Sequence, residues 1–180
     1  MSTLYVMVGI PGSGKSTKAK EMSENGIVTF SSDKLRGELF GNEGIQFTEE
    51  WLKENGYNGS DDFNTKKSFA LNIIFDQLYQ RVQSCLEEGR DAVLDATSPG
   101  KVARKKIVDR FGQSADKIVA IVMATPYAVC MKRNLSRDRV VPVEAMEMIA
   151  GEFEYPEISE GIDEIICIGN KNDIDYGKGR

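Results

Sequence analysis

The sequence of 180 residues contains no histidine, so any general base must be a carboxylate or another group. Histidine triads and histidine zinc sites are excluded for the same reason. Only three cysteines occur, Cys85, Cys130 and Cys167, and their odd number and wide spacing argue against a disulfide framework or a zinc knuckle. Free thiols suit a reducing compartment, so we expect a cytoplasmic protein. No apolar run approaches membrane-spanning length, and we expect no membrane partner.

Positive charge is in deficit, because 23 Lys and Arg residues face 28 Asp and Glu residues and give a formal net charge of −5. This balance disfavours a protein that coats nucleic acid through a broad basic surface, but it allows a local basic channel. The length suits one domain with a substantial core. We expect a single domain over residues 1–180, without a leader segment and with a frayed polar tail from about residue 169.

Short apolar runs alternate with longer helical patterns. The apolar runs lie near residues 4–8, 27–30, 92–94, 118–123 and 164–168. The helical patterns lie near residues 14–24, 33–40, 64–88, 100–111, 126–136 and 142–153. Such alternation predicts an α/β fold with a five-stranded parallel sheet flanked by helices. The irregular segment 41–62, with a short helix near 48–55, is either a substrate-covering insertion or a packed surface excursion, and the second is favoured.

Residues 9–17, G-I-P-G-S-G-K-S-T, match the phosphate-binding (Walker A) pattern G-x-x-x-x-G-K-[ST] between an apolar run and a helical pattern. Glycines let backbone N–H groups approach a polyphosphate, and the following helix adds the positive end of its dipole. Lys15 is expected to reach the β- and γ-phosphates, and the Ser16 hydroxyl to bind Mg²⁺ together with water. The expected ATP-binding residues are Gly9, Pro11, Gly12, Ser13, Gly14, Lys15, Ser16 and Thr17. We therefore predict a nucleoside triphosphate ligand rather than a glycine-rich turn with an incidental lysine.

Acidic residues follow two of the predicted strands, at the edge where ligands bind in an open parallel sheet. In S-S-D-K-L-R, Asp33 is suited to accept a proton from an attacking hydroxyl, and Arg36 lies one helical turn later. In V-L-D-A-T, Asp95 could hold Mg²⁺ through water or orient a basic group. The alternative at both places is helix capping, by Ser32 or Asp33 in the first case and by Asp95, Thr97 or Ser98 in the second.

Arginines are concentrated in K-R-N-L-S-R-D-R, which precedes a flexible break and Pro142. Arg133 and Arg137 are four residues apart and share one face of a helix, so they could clamp a transferring phosphoryl group from a movable lid. The alternative is a solvated charged face. A second basic cluster, K-V-A-R-K-K at 101–106, is expected on a solvent-facing helix.

Taken together, these pieces resemble the P-loop kinase family of the 5′-hydroxyl polynucleotide kinases, especially the kinase domain of the phage end-healing enzymes. The similar segments are G-I-P-G-S-G-K-S-T, S-S-D-K-L-R, V-L-D-A-T-S, K-R-N-L-S-R with its V-P, and P-E-I-S-E-G-I-D-E-I-I. They span almost the whole chain in the family's order, but only the first is specific alone. The phage enzymes carry a following phosphatase domain, and nothing in this sequence supplies one.

The resemblance implies a P-loop NTPase fold with an arginine-bearing helical lid and a role for each candidate residue. Lys15 and Ser16 would bind ATP and Mg²⁺, and Asp33 would be the general base. Arg133 and Arg137 would contact the ATP phosphates. The acceptor side would comprise Arg36, Asp95 and Thr97, where Arg36 would contact the acceptor's 3′-phosphate and Asp95 would help to organise the site and the lid. The resemblance assigns no role to the neighbouring Arg139.

The predicted activity is transfer of the ATP γ-phosphate to the 5′-hydroxyl of DNA or RNA, as in nucleic acid end repair. Two alternatives stay open at this point. One is a P-loop kinase for a small molecule such as a nucleoside, nucleotide or sugar. The other is an ATP-binding switch module without acceptor chemistry.

Overall fold

Residues 1–41, 47–137, 139–174 and 176 are described by a computed structural model. The strands are β1 (Thr3–Val8), β2 (Val28–Ser31), β3 (Ala92–Asp95), β4 (Lys117–Ala124) and β5 (Glu164–Gly169). They form one parallel sheet in the order β2-β3-β1-β4-β5. The helices are α1 (Lys15–Glu24), α2 (Ser32–Phe40), α3 (Glu49–Glu54), α4 (Phe63–Glu87), α5 (Lys101–Phe111), α6 (Tyr127–Leu135) and α7 (Val143–Gly151). The predicted fold class is confirmed.

Both faces of the sheet are covered, which explains why its strands are continuous apolar runs. In β1, Leu4 and Val6 contribute to a large core cluster that includes Ile74 of α4. Met7 belongs to a separate cluster, which also contains Ala19 of α1. Successive residues of a strand point to opposite faces, so β1 supplies side chains to both layers.

The order of the strands creates a crevice above the carboxyl end of β1. The chain leaves β1 toward β2 at one edge of the sheet, whereas it leaves β4 toward β5 at the other edge. Ligands in open parallel sheets bind where neighbouring connections diverge in this way. The loop of residues 9–14, between β1 and α1, therefore lies at the expected ligand site of the sheet.

The described part of the irregular segment packs against the helical layer. Leu52 is fully buried, and Trp51 meets Phe40 of α2 edge to face at 5.0 Å between ring centroids. Lys66 of α4 donates hydrogen bonds to Glu49 at 2.7 Å and Asp61 at 3.2 Å. This packing agrees with the favoured interpretation of a packed surface excursion. Residues 42–46 lie outside the described part.

The structure of two stretches, the tail and α5, differs from what their composition predicted. In the tail, expected to be frayed from residue 169, Lys171–Asp173 forms a 3-10 turn and Tyr176 is buried edge-on against Phe153. On α5, expected to face solvent, Arg104 is 1 % exposed and pairs with Glu160 at 2.8 Å. In both cases a partner distant in the sequence overrides local polarity. Among the described residues, no helix has the length and apolar character needed to cross a membrane.

Candidate active site

The phosphate loop has a backbone that only glycine adopts without strain. Gly12 has φ of +79°, and a Cβ there would lie 2.4 Å from the Cys130 carbonyl oxygen of α6. Gly14 has φ of +100° and occupies the N-cap position of α1. Glycine at these two positions thus permits both the left-handed turns and the close approach of α6 to the loop.

The N-terminus of α1 carries neither a side-chain cap nor an acidic residue in its first turn. Its free N–H groups and the positive end of its dipole are therefore available to an anion. The Ser13 hydroxyl is buried and has no hydrogen-bond partner within the described part of the chain. A loop with uncapped donors, an orphaned hydroxyl and a lysine fits a polyphosphate with Mg²⁺.

Lys15 is the principal buried cation of the loop. Its side chain is 8 % exposed, and Nζ donates a hydrogen bond to the Ile10 carbonyl at 2.9 Å. Burial lowers the pKa of Lys15 from 10.5 to about 8, although the nearby Asp95 carboxylate acts in the opposite direction. The ammonium is thus held in a poorly solvated position where an additional anion would stabilise it.

Asp33 lies in the first turn of α2 beside the carboxyl end of β2. The helix is capped by Ser31, whose hydroxyl accepts a hydrogen bond from the Lys34 N–H at 3.4 Å. The alternative that Ser32 or Asp33 is the cap is therefore wrong. The Asp33 carboxylate instead accepts a hydrogen bond from Arg36, and Oδ1 also lies 3.6 Å from a guanidinium nitrogen of Arg139.

Asp95 ends β3 as a buried carboxylate, whereas Thr97 in the next turn is exposed. Neither residue caps α5, because the N-cap position is occupied by Gly100, which has no side chain to form a capping bond. The Lys101 N–H is instead satisfied by the Glu154 carboxylate at 2.7 Å. The capping alternative is therefore wrong here too, and both side chains line the cleft.

The lid, defined here as α6 and the turn up to Pro142, lies across the phosphate loop. Arg133 of α6 donates a hydrogen bond to the Gly12 carbonyl at 3.4 Å. Asn134 is fully buried, donates to the Val141 carbonyl at 2.7 Å and accepts from the Val141 N–H at 3.0 Å. These two hydrogen bonds close the base of the turn that carries Arg137 and Arg139.

These elements enclose a cleft of about 840 Å³. Of the candidate residues, Gly9 alone is absent from the lining of the cleft. It turns the backbone at a place where a Cβ would lie 2.6 Å from Ser13 Oγ. The structure brings the remaining candidates together from the loop, α2, the β3 edge and the lid. Their convergence in one cleft supports the assigned roles, which stay predictions.

Two neighbours of the loop were not found from the sequence. Thr125, just after β4, donates a hydrogen bond from Oγ1 to the Ser13 carbonyl at 2.9 Å. Its own carbonyl accepts a hydrogen bond from the Tyr176 hydroxyl at 2.8 Å. Burial raises the pKa of Tyr176, so the hydroxyl stays protonated as a donor at neutral pH. No local motif marks this pair, since it depends on tertiary contacts alone.

The fold and the site define a kinase-like P-loop phosphotransferase. The family described as AAA domain (AAA_33) matches residues 4–156, and the chain belongs to it. No curated protein sequence matches the chain.

Solved structures resemble this fold at low sequence identity. A sugar kinase from Janibacter sp. HTCC2649 is 15 % identical, with 97 % of this chain and 90 % of that chain covered and a TM-score of 0.59. Kti12 of Chaetomium thermophilum, in complex with ADP-AlF3, is 14 % identical, with 95 % and 93 % covered and a TM-score of 0.60. A chain of the Pnkp1/Rnl/Hen1 RNA repair complex is 20 % identical, with 84 % and 43 % covered and a TM-score of 0.64. At these identities the likeness concerns the fold.

Proposed function

We propose that the chain is an ATP-dependent kinase that transfers the γ-phosphate to the 5′-hydroxyl of a polynucleotide, DNA or RNA. The observation that carries the proposal is the shared cleft of Lys15, Asp33 and Arg36, in which a carboxylate stands opposite a phosphate-binding loop. A switch module has no need of an acceptor-side carboxylate with its own arginine. Three free cysteines agree with action in a reducing cytoplasm.

In the proposed reaction the acceptor oxygen forms a bond to the γ-phosphorus while the bond from that phosphorus to the β–γ bridging oxygen breaks, and ADP leaves. The acceptor proton passes to a carboxylate oxygen of Asp33. Lys15, Arg133 and Arg137 stabilise the charge on the phosphate oxygens. Mg²⁺, when bound, would neutralise the β- and γ-phosphates, and Ser16 with water would hold it.

The acceptor side carries the distinction between a polynucleotide and a small molecule. Arg36 beside Asp33 suits an acceptor with a phosphate near its hydroxyl, and one structural neighbour belongs to an RNA repair complex. The second candidate is a small-molecule kinase, which is favoured by the near-complete coverage of a sugar kinase. Its acceptor would be a nucleoside, nucleotide or sugar.

Transfer of labelled γ-phosphate to a panel of acceptors tests the proposal. The panel holds 5′-hydroxyl DNA and RNA strands, free nucleosides and simple sugars, each with ATP and Mg²⁺. We expect label on the strands and a loss of about 1000-fold in Asp33→Asn, because the general base is removed. The control Asp109→Asn changes an exposed carboxylate of α5 that pairs with Lys105, and should leave transfer unchanged.

The other outcomes separate the candidates. Label on a nucleoside or sugar alone would overturn the polynucleotide acceptor and retain the kinase. ATP hydrolysis without labelled acceptor, unchanged in Asp33→Asn, would overturn the kinase in favour of a switch module.

A further inference from the structure

A second, smaller cavity adjoins the cleft, and we call it the side pocket. It is formed by α1, β2 and the first turn of α2, and its volume is about 250 Å³. Because some side chains line both cavities, an elongated ligand at Asp33 can extend from the cleft into the side pocket. The shared residues are Ser16, Asp33, Asp95 and Arg137.

The outer part of the side pocket, which does not belong to the cleft, is polar and positively charged. It carries two lysines and three hydroxyl side chains. Among the described residues that line it, only Ala19 is apolar and none is acidic. Such a lining favours an anionic ligand that also accepts hydrogen bonds. The residues of this outer part are Ala19, Lys20, Ser23, Thr29, Ser31 and Lys34.

The two lysines of the side pocket are accessible, whereas its floor is fixed. Lys20 and Lys34 are exposed, and Lys20 Nζ is 4.0 Å from a carboxylate oxygen of the exposed Glu24, a pair of little strength. Thr29 Oγ1 donates a hydrogen bond to the Ala19 carbonyl at 3.2 Å, which ties β2 to α1. Ser31 caps α2. A fixed floor with accessible cations at its rim is organised for a ligand before the ligand binds.

We propose that the side pocket binds the sugar–phosphate backbone of the second nucleotide of a polynucleotide acceptor. This inference rests on the proposed function and deepens its acceptor side. The terminal nucleoside lies in the cleft with its 5′-hydroxyl at Asp33, and the strand continues into the side pocket. Lysines and hydroxyls are typical contacts of phosphate oxygens and sugars. No aromatic side chain among the described residues lines the side pocket, so we expect it to bind strands regardless of base sequence.

The side pocket gives the chain a means to distinguish a strand from a small molecule. A mononucleotide with its hydroxyl at Asp33 occupies the cleft alone, whereas a dinucleotide reaches Lys20 and Lys34 as well. We therefore expect affinity to rise when the acceptor grows from one nucleotide to two.

Equilibrium binding measures this rise without turnover. A nucleoside 3′-monophosphate and the matching dinucleotide 3′-monophosphate are titrated by calorimetry, with a non-hydrolysable ATP analogue and Mg²⁺ filling the nucleotide site. We expect the dinucleotide to bind about 10-fold more tightly to the wild type. The double variant Lys20→Gln, Lys34→Gln should lose this gain, because the cations of the side pocket are removed.

Two further variants separate the side pocket from a general effect of charge. Ser23→Tyr fills the pocket without a change of charge, and it should also lose the gain. The control Lys53→Gln removes an exposed lysine of α3, outside the pocket, and should keep the gain. Equal affinity of the two acceptors for the wild type would overturn the inference. An equal loss for both acceptors in the variants would overturn it as well.

The salt dependence of strand binding supplies a second arm. In a plot of log K against log salt, we expect the double variant to lower the slope by about 1, equally for strands of different base sequence. A loss of affinity that depends on the base would contradict a backbone site.

The outcomes separate this inference from the proposed function. Strand binding that requires Lys20, Lys34 and an open pocket at Ser23, without transfer to any strand, would overturn the polynucleotide kinase and support the side pocket. Transfer to 5′-hydroxyl strands, with KM for the strand unchanged in all the pocket variants, would support the kinase and overturn the side pocket.

Discussion

Two of the buried cations, Lys15 and Arg104, differ in how their charges are compensated. Arg104 is 1 % exposed and fully paired, because Glu160 accepts two hydrogen bonds at 2.8 and 2.9 Å and the Pro99 carbonyl accepts a third at 2.8 Å. Lys15 is 8 % exposed, and its hydrogen-bond partner among the described residues is the neutral Ile10 carbonyl. One charge is paired with a bonded carboxylate, whereas the other has only the nearby Asp95 carboxylate acting against the effect of burial on its pKa.

The difference teaches where to look for function among buried charges. A saturated pair is structural, since it fixes the turn 98–100 that follows Asp95. An under-compensated charge lowers stability unless an anion arrives, and proteins keep such groups at binding sites. We expect substitutions at Glu160, Lys15 and Tyr176 to sharpen this contrast, with effects that decrease in that order.

Removing the partner of the compensated cation should cost most. Glu160→Ala leaves Arg104 buried without its carboxylate, so we expect the free energy of unfolding to fall by about 3–5 kcal/mol. Chemical denaturation measures the fall. The control Glu164→Ala breaks an exposed pair with Lys117 and should cost at most about 1 kcal/mol. If the two variants lose the same free energy of unfolding, the charge of Arg104 does not depend on Glu160 for its compensation.

The under-compensated cation, Lys15, should make the stability of the fold depend on pH. The pKa of Lys15 is about 8 in the folded chain and 10.5 when unfolded, so between these values the unfolded state holds the extra proton. Raising the pH through this window therefore stabilises the fold, by about 3 kcal/mol in total. Lys15→Met lacks this gain, so the wild type should gain stability relative to it from pH 8 toward pH 10.5 in denaturant unfolding. Parallel curves would contradict a poorly solvated Lys15.

The smallest effect concerns the support of the loop. Tyr176→Phe removes the hydrogen bond to the Thr125 carbonyl but keeps the ring against Phe153, so we expect a stability loss of about 1 kcal/mol. KM for ATP should rise about threefold, since Thr125 also holds Ser13, while kcat stays close to wild type. A fall in kcat with KM unchanged would argue against a positioning role.

Local patterns predicted the local features. The loop at 9–17 and the sheet follow from glycine spacing and apolar runs, because their physics depends on neighbouring residues. The environment of Arg104 did not follow, since its partner Glu160 lies 56 residues away. The contacts of Tyr176 with Thr125 and of Arg139 with Asp33 likewise arise only when the sheet brings distant segments together.

The pair of hydrogen bonds between Asn134 and Val141 has a thermodynamic consequence. Its two hydrogen bonds tie together the ends of the turn that carries Arg137 and Arg139, so we expect this turn to change position as a unit. If the nucleotide and the acceptor each favour one position of this turn, each ligand changes the affinity of the other. Linkage requires the two changes in affinity to be equal, so the phosphate donor and the acceptor would share one coupling free energy through this turn.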